Sequence, residues 1–171
     1  MRILGVDPGL RVTGYGAIET GARGARLIEA GVITPVASAA LAQRLRHLYR
    51  EMCDVLEATH PDVVVVEELW TAYRNPTTAV LMGHARGVIC LAAGESGVAV
   101  RHLVHSLVKR ALVGFGAARK DQVKRMVVQQ LRLTSRPQPD DVSDALALAL
   151  ALANIESTER RFAALGVVAN R

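Results

Sequence analysis

Residues 3–7 form a short apolar run that ends on Asp7 and gives way to Pro8-Gly9. Such a run, stopped by a turn pair, reads as a buried strand leaving into a loop. Residues 12–20, which carry Gly14 and Gly16, and residues 26–34, closed by Pro35, read as two further strands. The short links between these three predict an antiparallel meander. The period then changes: Leu41, Leu45, Leu48, Met52, Val55 and Leu56 recur at helical spacing, with Arg44, Arg46, Arg50 and Glu51 between them, until Pro61. Residues 63–66 are four consecutive valines, the pattern of a strand covered on both faces.

A second helix is expected over residues 76–93, a fifth strand over 98–104, and three more helical patterns after it. Residues 145–153 alternate Leu and Ala, which imitates the period of a strand. The alternation is one of size, not polarity; both residues are strong helix formers and no β-branched residue interrupts them, so a helix is predicted. The order βββαβα, then βααα, predicts one α/β domain over residues 1–155: a five-stranded mixed β-sheet with helices on both faces. From residue 156 to 171 the periodicity fades, and a flexible C-terminal tail is expected there.

Half of the 171 residues are apolar, enough for a core without disulfides. Cys53 and Cys90 fall inside apolar helical patterns, as small buried hydrophobes do, and suggest a reducing compartment. The apolar start is too short for a signal peptide, and the longest apolar run, 145–153, is about half of a bilayer span. A cytoplasmic protein with no membrane partner is expected.

Charge changes the picture more. The net charge is +5, and residues 101–136 hold nine bases (Arg101, Lys109, Arg110, Arg119, Lys120, Lys124, Arg125, Arg132, Arg136) against one acid, Asp121. A block so lopsided attracts polyanions, although a merely solubilising surface has the same composition.

The acids offer the chemistry. Asp7 ends the first strand and Glu67 the valine strand, and sites in open α/β sheets form beyond strand ends. Taken singly, each reads better as a solvated turn acid; at matching ends of neighbouring strands they would converge. Asp141 and Asp144 are three apart at the start of the last helix and share a face, whereas Asp140 reads as a helix cap. Acids are favoured in any first helical turn, but Asp144 adjoins a wholly apolar stretch, where a second carboxylate calls for a cation. Four carboxylates without His or Cys partners suit Mg²⁺ or Mn²⁺ rather than zinc or iron. Two such ions can clamp a phosphodiester, and the basic block would bring one in.

Four blocks now resemble a known family. They are Gly5-Val6-Asp7-Pro8-Gly9-Leu10-Arg11-Val12-Thr13-Gly14-Tyr15-Gly16, then Gly83-His84-Ala85-Arg86-Gly87, then Val113-Gly114-Phe115-Gly116 ahead of Lys120, and Pro137-Gln138 ahead of Asp141, Asp144, Ala145 and Leu146. In that order and over roughly residues 1–155 they resemble the RuvC family, the bacterial crossover-junction endodeoxyribonucleases. The resemblance implies a ribonuclease H-like fold and a homodimer that nicks two strands of a four-way (Holliday) DNA junction symmetrically. It also implies two Mg²⁺ per site, with Mn²⁺ able to substitute, on Asp7, Glu67, Asp141 and Asp144. A partnership with the branch-migration complex, a junction-binding protein and its motor ATPase, follows from the same likeness. Its two functional lysines fall on Lys109 and Lys120. Asp140 departs from the pattern by adding an acid before the pair, and the i, i+3 relation to Asp144 favours Asp141 as the ligand.

Other residues are weighed against blander roles. Trp70 follows Glu67 by three in the same loop as Tyr73 and Arg74 and is a candidate DNA-stacking residue; a core or interface aromatic is the alternative. Lys109, Arg119, Lys120 and Lys124 are candidate DNA contacts, with Lys120 also a transition-state phosphate contact, or else ordinary surface charges. His102 and His105 lack ligand spacing and read as structural or phosphate-facing. Gly83, Ala85 and Gly87 would let the second helix approach a partner, the dimer interface by resemblance, or another part of the monomer. Three rival functions remain: a ribonuclease H-like nuclease acting on RNA or RNA–DNA hybrid, a sugar-kinase-like phosphotransferase, and an inactive DNA-binding module. The phosphotransferase fold needs a second copy of the domain, which 171 residues without a repeat do not supply.

Overall fold

The computed structural model describes residues 1–68 and 76–165. Three strands open the chain: β1 (Arg2–Asp7), β2 (Thr13–Gly21) and β3 (Gly24–Ile33). Helix α1 (Leu41–Thr59), strand β4 (Val63–Glu67), helix α2 (Pro76–Glu95) and strand β5 (Ala99–Leu103) follow. Helices α3 (His105–Val113), α4 (Lys120–Gln130) and α5 (Asp140–Ala164) complete it. The expected order of elements is therefore found throughout the described residues. The sheet order is β3-β2-β1-β4-β5; β1 pairs antiparallel with β2 and parallel with β4, and β4 parallel with β5. The meander and the mixed sheet are as the sequence predicted.

The valine strand has the two-sided burial its composition demanded. Val63 and Val65 join Ile3 and Ile18 in a core closed by α3, α4 and α5. Val64 and Val66 join Leu4 and Val6 in a second core, under α1 and α2. Successive strand residues face opposite sides. Asp7, in phase with Ile3 and Gly5, and Glu67, in phase with Val63 and Val65, thus share the α5 side.

Helix α5 lies across the middle of the sheet on a floor of glycines. Gly5 pairs with Gly16, and Asp7 with Gly14, across the β1–β2 ladder. A Cβ on Gly5 would stand 2.0 Å from the carbonyl oxygen of Ala145, and one on Gly14 2.1 Å from that of Asp141. A Cβ on Gly16 would stand 2.5 Å from a methyl carbon of Leu146. Backbone here meets backbone, which explains the small residues Ala145 and Ala149, one helical turn apart on the side facing Gly5. Alanines such as Ala145 and Ala149 let the helix settle, while Leu146, Leu148, Leu150 and Leu152 fill the flanks. Every residue from Val142 to Ala153 except Asp144 is buried.

Three expectations are corrected. The chain does not leave regular structure at residue 156: α5 runs on to Ala164, and its residues from Ser157 are exposed. The apolar periodicity ends there because the helix leaves the core, not because the helix stops. Cys53 and Cys90 are free thiols as expected but only partly buried. Asp140 makes no capping bond; Pro139 holds the N-cap position and Asp140 is the first helical residue.

Helix α2 is, among the described residues, the one helix long and apolar enough by length and composition to cross a membrane. Its Ala85, Ile89, Ala92 and Ala93 are buried in the second core, while Val80 and Leu91 are exposed and Gly83 and Gly87 face open space. Its apolar character therefore serves one buried side and one uncovered side.

The glycine floor makes a direct prediction. Gly5→Ala forces α5 away from β1 and should cost about 1–3 kcal/mol, as overpacking does. Thermal unfolding should show a midpoint lower by about 2–4 °C for each of those kcal/mol. An unchanged midpoint would mean that the helix does not rest on this strand.

Candidate active site

β1 and β4 run in register, Val6 beside Val66, so Asp7 and Glu67 emerge as neighbours one step further along. Both open a pocket of ≈ 70 Å³ also lined by His105, Val108, Lys109, Lys120, Val123, Asp144, Ala147 and Leu148. Asp141 lies over Gly14, the ladder partner of Asp7, and faces the other side of Asp7, in a neighbouring cleft. The four acids expected from the sequence thus surround one strand end.

Their mutual repulsion is visible in Asp7. Burial, then the charges of Asp144, Glu67 and Asp141, push its pKa up to about 7, against a smaller opposing pull from Lys120. Asp140 is absent from that set. Lys124 binds its carboxylate at 2.5 Å and Lys120 lies 3.6 Å away, and the Lys124 hydrogen bond holds its pKa below the ordinary value. The two basic residues draw Asp140 aside, so Asp141 is the one whose charge acts on Asp7.

A cation is already drawn to the acids. The Lys120 ammonium lies 2.7 Å from Asp144, and this hydrogen bond raises the lysine's pKa. Lys109, a candidate DNA contact from the sequence, lines the same pocket from α3. Arg119 is exposed at the N-cap of α4, where its backbone N–H donates to Gln122. Lys124, expected on a DNA-facing surface, is 13% exposed and turned onto Asp140. Trp70, Tyr73 and Arg74 lie outside the described residues.

The structure adds residues that spacing did not single out. His105 opens α3, and its Nδ1 lies 2.7 Å from Glu67 Oε1. Arg86, from α2, donates to the Glu67 backbone carbonyl and, at 2.6 Å, to Nδ1 of His102 on β5. Burial, then the Arg86 charge, lowers the pKa of His102, in keeping with an imidazole that accepts this bond. The end of β4 is therefore clamped from both sides. The resemblance block at residues 83–87 contained Arg86, but no local pattern linked it to Glu67.

The loop after Asp7 is fixed with equal care. The Thr13 hydroxyl accepts from Gly9 N–H at 3.2 Å and donates to the Gly9 carbonyl at 2.6 Å; Arg44 donates to the Leu10 carbonyl at 2.7 Å.

Acids on adjacent strand ends, a helix bringing two more, and lysines over them form a constellation suited to phosphate chemistry. A family model for the crossover junction endodeoxyribonuclease RuvC matches residues 3–152. The chain belongs to the RuvC family. The RuvC protein of Rhodopirellula baltica is 45% identical over 148 residues, 86% of this chain and 83% of the relative. The structure of Thermus thermophilus RuvC superposes with a TM-score of 0.83 at 34% identity, covering 98% of both chains. The same protein in complex with a Holliday junction substrate gives a TM-score of 0.83 at 30% identity, again over 98% of both. The ribonuclease H-like architecture expected from the resemblance is the one observed.

Asp7 sets the pH behaviour of the site. With a native pKa above the unfolded one, the folded chain holds more protons than the unfolded chain between about pH 4 and 7, so stability falls as pH rises through that window. The penalty above pH 7 is on the order of 4 kcal/mol. In EDTA, the unfolding midpoint should drop between pH 5 and 8 for the wild type and much less for Asp7→Asn. Equal drops in calorimetric scans of both would mean that Asp7 is not held among like charges.

Proposed function

We propose that this chain is a structure-selective endonuclease that resolves four-way DNA junctions in recombination and repair, nicking two strands symmetrically. The observation that carries the reading is the gathering of Asp7, Glu67, Asp141 and Asp144 around the end of β1 in a chain of the RuvC family. The relatives bear the name crossover junction endodeoxyribonuclease, and one superposed structure is a complex with a Holliday junction.

The donor set fits two Mg²⁺ ions, with Mn²⁺ as a substitute. The four acids offer oxygen, with the His105 imidazole bonded to Glu67 beside them although the sequence suggested no histidine partner; they are crowded enough to lift Asp7 and attractive enough to hold the Lys120 ammonium. Among the described residues, no three carboxylate, imidazole or thiol side chains are close enough to hold an ion as they stand. Binding must draw the acids in, and the release of Lys120 from Asp144 is part of that change. Held by Asp7, Glu67, Asp141 and Asp144, such ions would supply activation of water and charge neutralisation at the phosphate. Water adds to phosphorus, the bond from phosphorus to O3′ breaks, and a proton reaches the leaving oxygen, giving a 5′-phosphate and a 3′-hydroxyl. No covalent enzyme intermediate is involved.

The chain's own residues bind and orient. Lys120, freed from Asp144, meets the transition-state phosphate; Lys109 and Arg119 hold the backbone; Lys124 keeps Asp140 apart and contacts DNA where the two separate. Trp70, Tyr73 and Arg74 follow Glu67 in sequence and engage the opened junction. Val80, Gly83, Gly87 and Leu91 on the uncovered side of α2 form the homodimer contact, which sets two sites at symmetric strands. The branch-migration complex is the partner that presents the junction. Residues 1–155 are the nuclease domain, and the work is done in the cytoplasm.

The test is strand mapping on a labelled four-way junction, a linear duplex and an RNA–DNA hybrid, with Mg²⁺, Mn²⁺ or EDTA. Paired symmetric nicks confined to the junction are expected, abolished in EDTA and reduced on the order of 10³-fold by Asp7→Asn. Lys120→Ala should cost about 10²–10³-fold in cleavage with junction binding retained. Cutting of the hybrid alone would overturn the junction reading.

A further inference from the structure

The basic block 101–136 is less available than its composition implied. Lys120 and Lys124 are held by Asp144 and Asp140, and Arg125 and Arg136 both by Asp121. Four of the nine bases are thus committed to acids. The opposite is true on the other flank of the site. There Arg11 follows Asp7 in the β1–β2 loop, and α1 presents Arg44, Arg46, His47 and Arg50; among the described residues, none of these is in an ion pair.

Two open clefts join these residues into a path. The first, ≈ 460 Å³, begins at Asp7 and Asp141 and is walled by residues 8–12, Arg44 and the start of α2. The second, ≈ 250 Å³, is walled by Gln43, Arg44, Arg46, His47 and Arg50. Arg44 belongs to both. One of its guanidinium nitrogens holds the Leu10 carbonyl, while its Nε is buried without a hydrogen-bond partner among the described residues. Arg11, Arg46 and Arg50 are exposed, and the nearby acids on α1 are Glu51 and Asp54, the latter one turn beyond Arg50.

We propose that Arg11, Arg44, Arg46 and Arg50 form a phosphate track along which the DNA backbone runs away from the site on its Asp141 side. The proposal rests on the junction reading above and adds the path of one arm. The track begins at the catalytic acids, so it fixes which phosphate of the strand stands over Asp7, and it reads no base. Arg44 has a double part as a positioning residue: it ties the loop after Asp7 to α1 and aligns the loop's Arg11 with the helix. Free guanidinium groups contribute here because each phosphate neutralised releases a condensed counterion; groups already paired with carboxylates release correspondingly less.

Salt dependence separates this role from a structural one. Binding of an uncut four-way junction in EDTA is measured over a range of salt for the wild type, Arg11→Ala, the double variant Arg46→Ala/Arg50→Ala, and the control Arg125→Ala/Arg136→Ala. Removing one phosphate-neutralising guanidinium should reduce the slope of log K against log[salt] by about 0.9. The slope should fall by about two such steps in the double variant and by about one in Arg11→Ala, with unfolding midpoints unchanged, and the control should keep the wild-type slope. Arg44→Lys should retain most of the slope, where Arg44→Ala also slows nicking. Wild-type slopes in Arg11→Ala and the double variant would overturn the track while leaving the junction reading intact. Wild-type protein that does not bind the junction would overturn both.

Discussion

The structure depends on how closely α5 can approach the sheet. Gly5 and Gly14 carry no side chain where the helix backbone at Ala145 and Asp141 passes, and any Cβ would collide with it. Protein interiors are close-packed, so a displacement of even one methyl group at this contact is felt along the helix. Because the contact begins at the first turn of α5, it sets the height of Asp141 and Asp144 over Asp7. Packing and chemistry are the same constraint here.

The crowding this produces has a physical consequence. Four carboxylates converge on a strand end that buries Asp7, and the fold tolerates them with its own cation, Lys120, on Asp144 and with Lys124, which pulls Asp140 away. Stability is given up locally to keep a charge density that a divalent ion can relieve. Around it, Arg86 on the end of β4 and Thr13 on the turn after Asp7 hold backbone groups, and His105 holds the Glu67 carboxylate.

Much of this was legible in the sequence. Four valines in a row could belong to little other than a strand buried on both faces, and the Leu–Ala run could be told from a strand by its lack of β-branched residues. Asp7 and Glu67 stood out because each ends such a strand, and Asp141 because of its spacing to Asp144. What local pattern could not carry was register. That Gly5 faces Gly16 and Gly14 faces Asp7 depends on strand pairing, so the sequence placed these glycines in strands without showing that they seat a helix. The pairings of Asp140 with Lys124 and of Asp121 with Arg125 and Arg136 likewise join separate segments or successive turns, and they take three of the nine bases of residues 101–136 out of the free set. The fading of periodicity after residue 156 marked the end of burial, which composition does record, and not the end of the helix, which it does not.

The claim that the seating of α5 gathers the four acids proposed to hold metal is tested most directly by measuring Mn²⁺ binding to Gly14→Ala and to the wild type, following free Mn²⁺ by electron paramagnetic resonance. With far-UV circular dichroism showing the fold retained, the variant should bind Mn²⁺ at least about tenfold more weakly, a difference of about 1.4 kcal/mol. Equal affinity in a folded Gly14→Ala protein would contradict the account, because the acids would then gather without the helix that is held to place them.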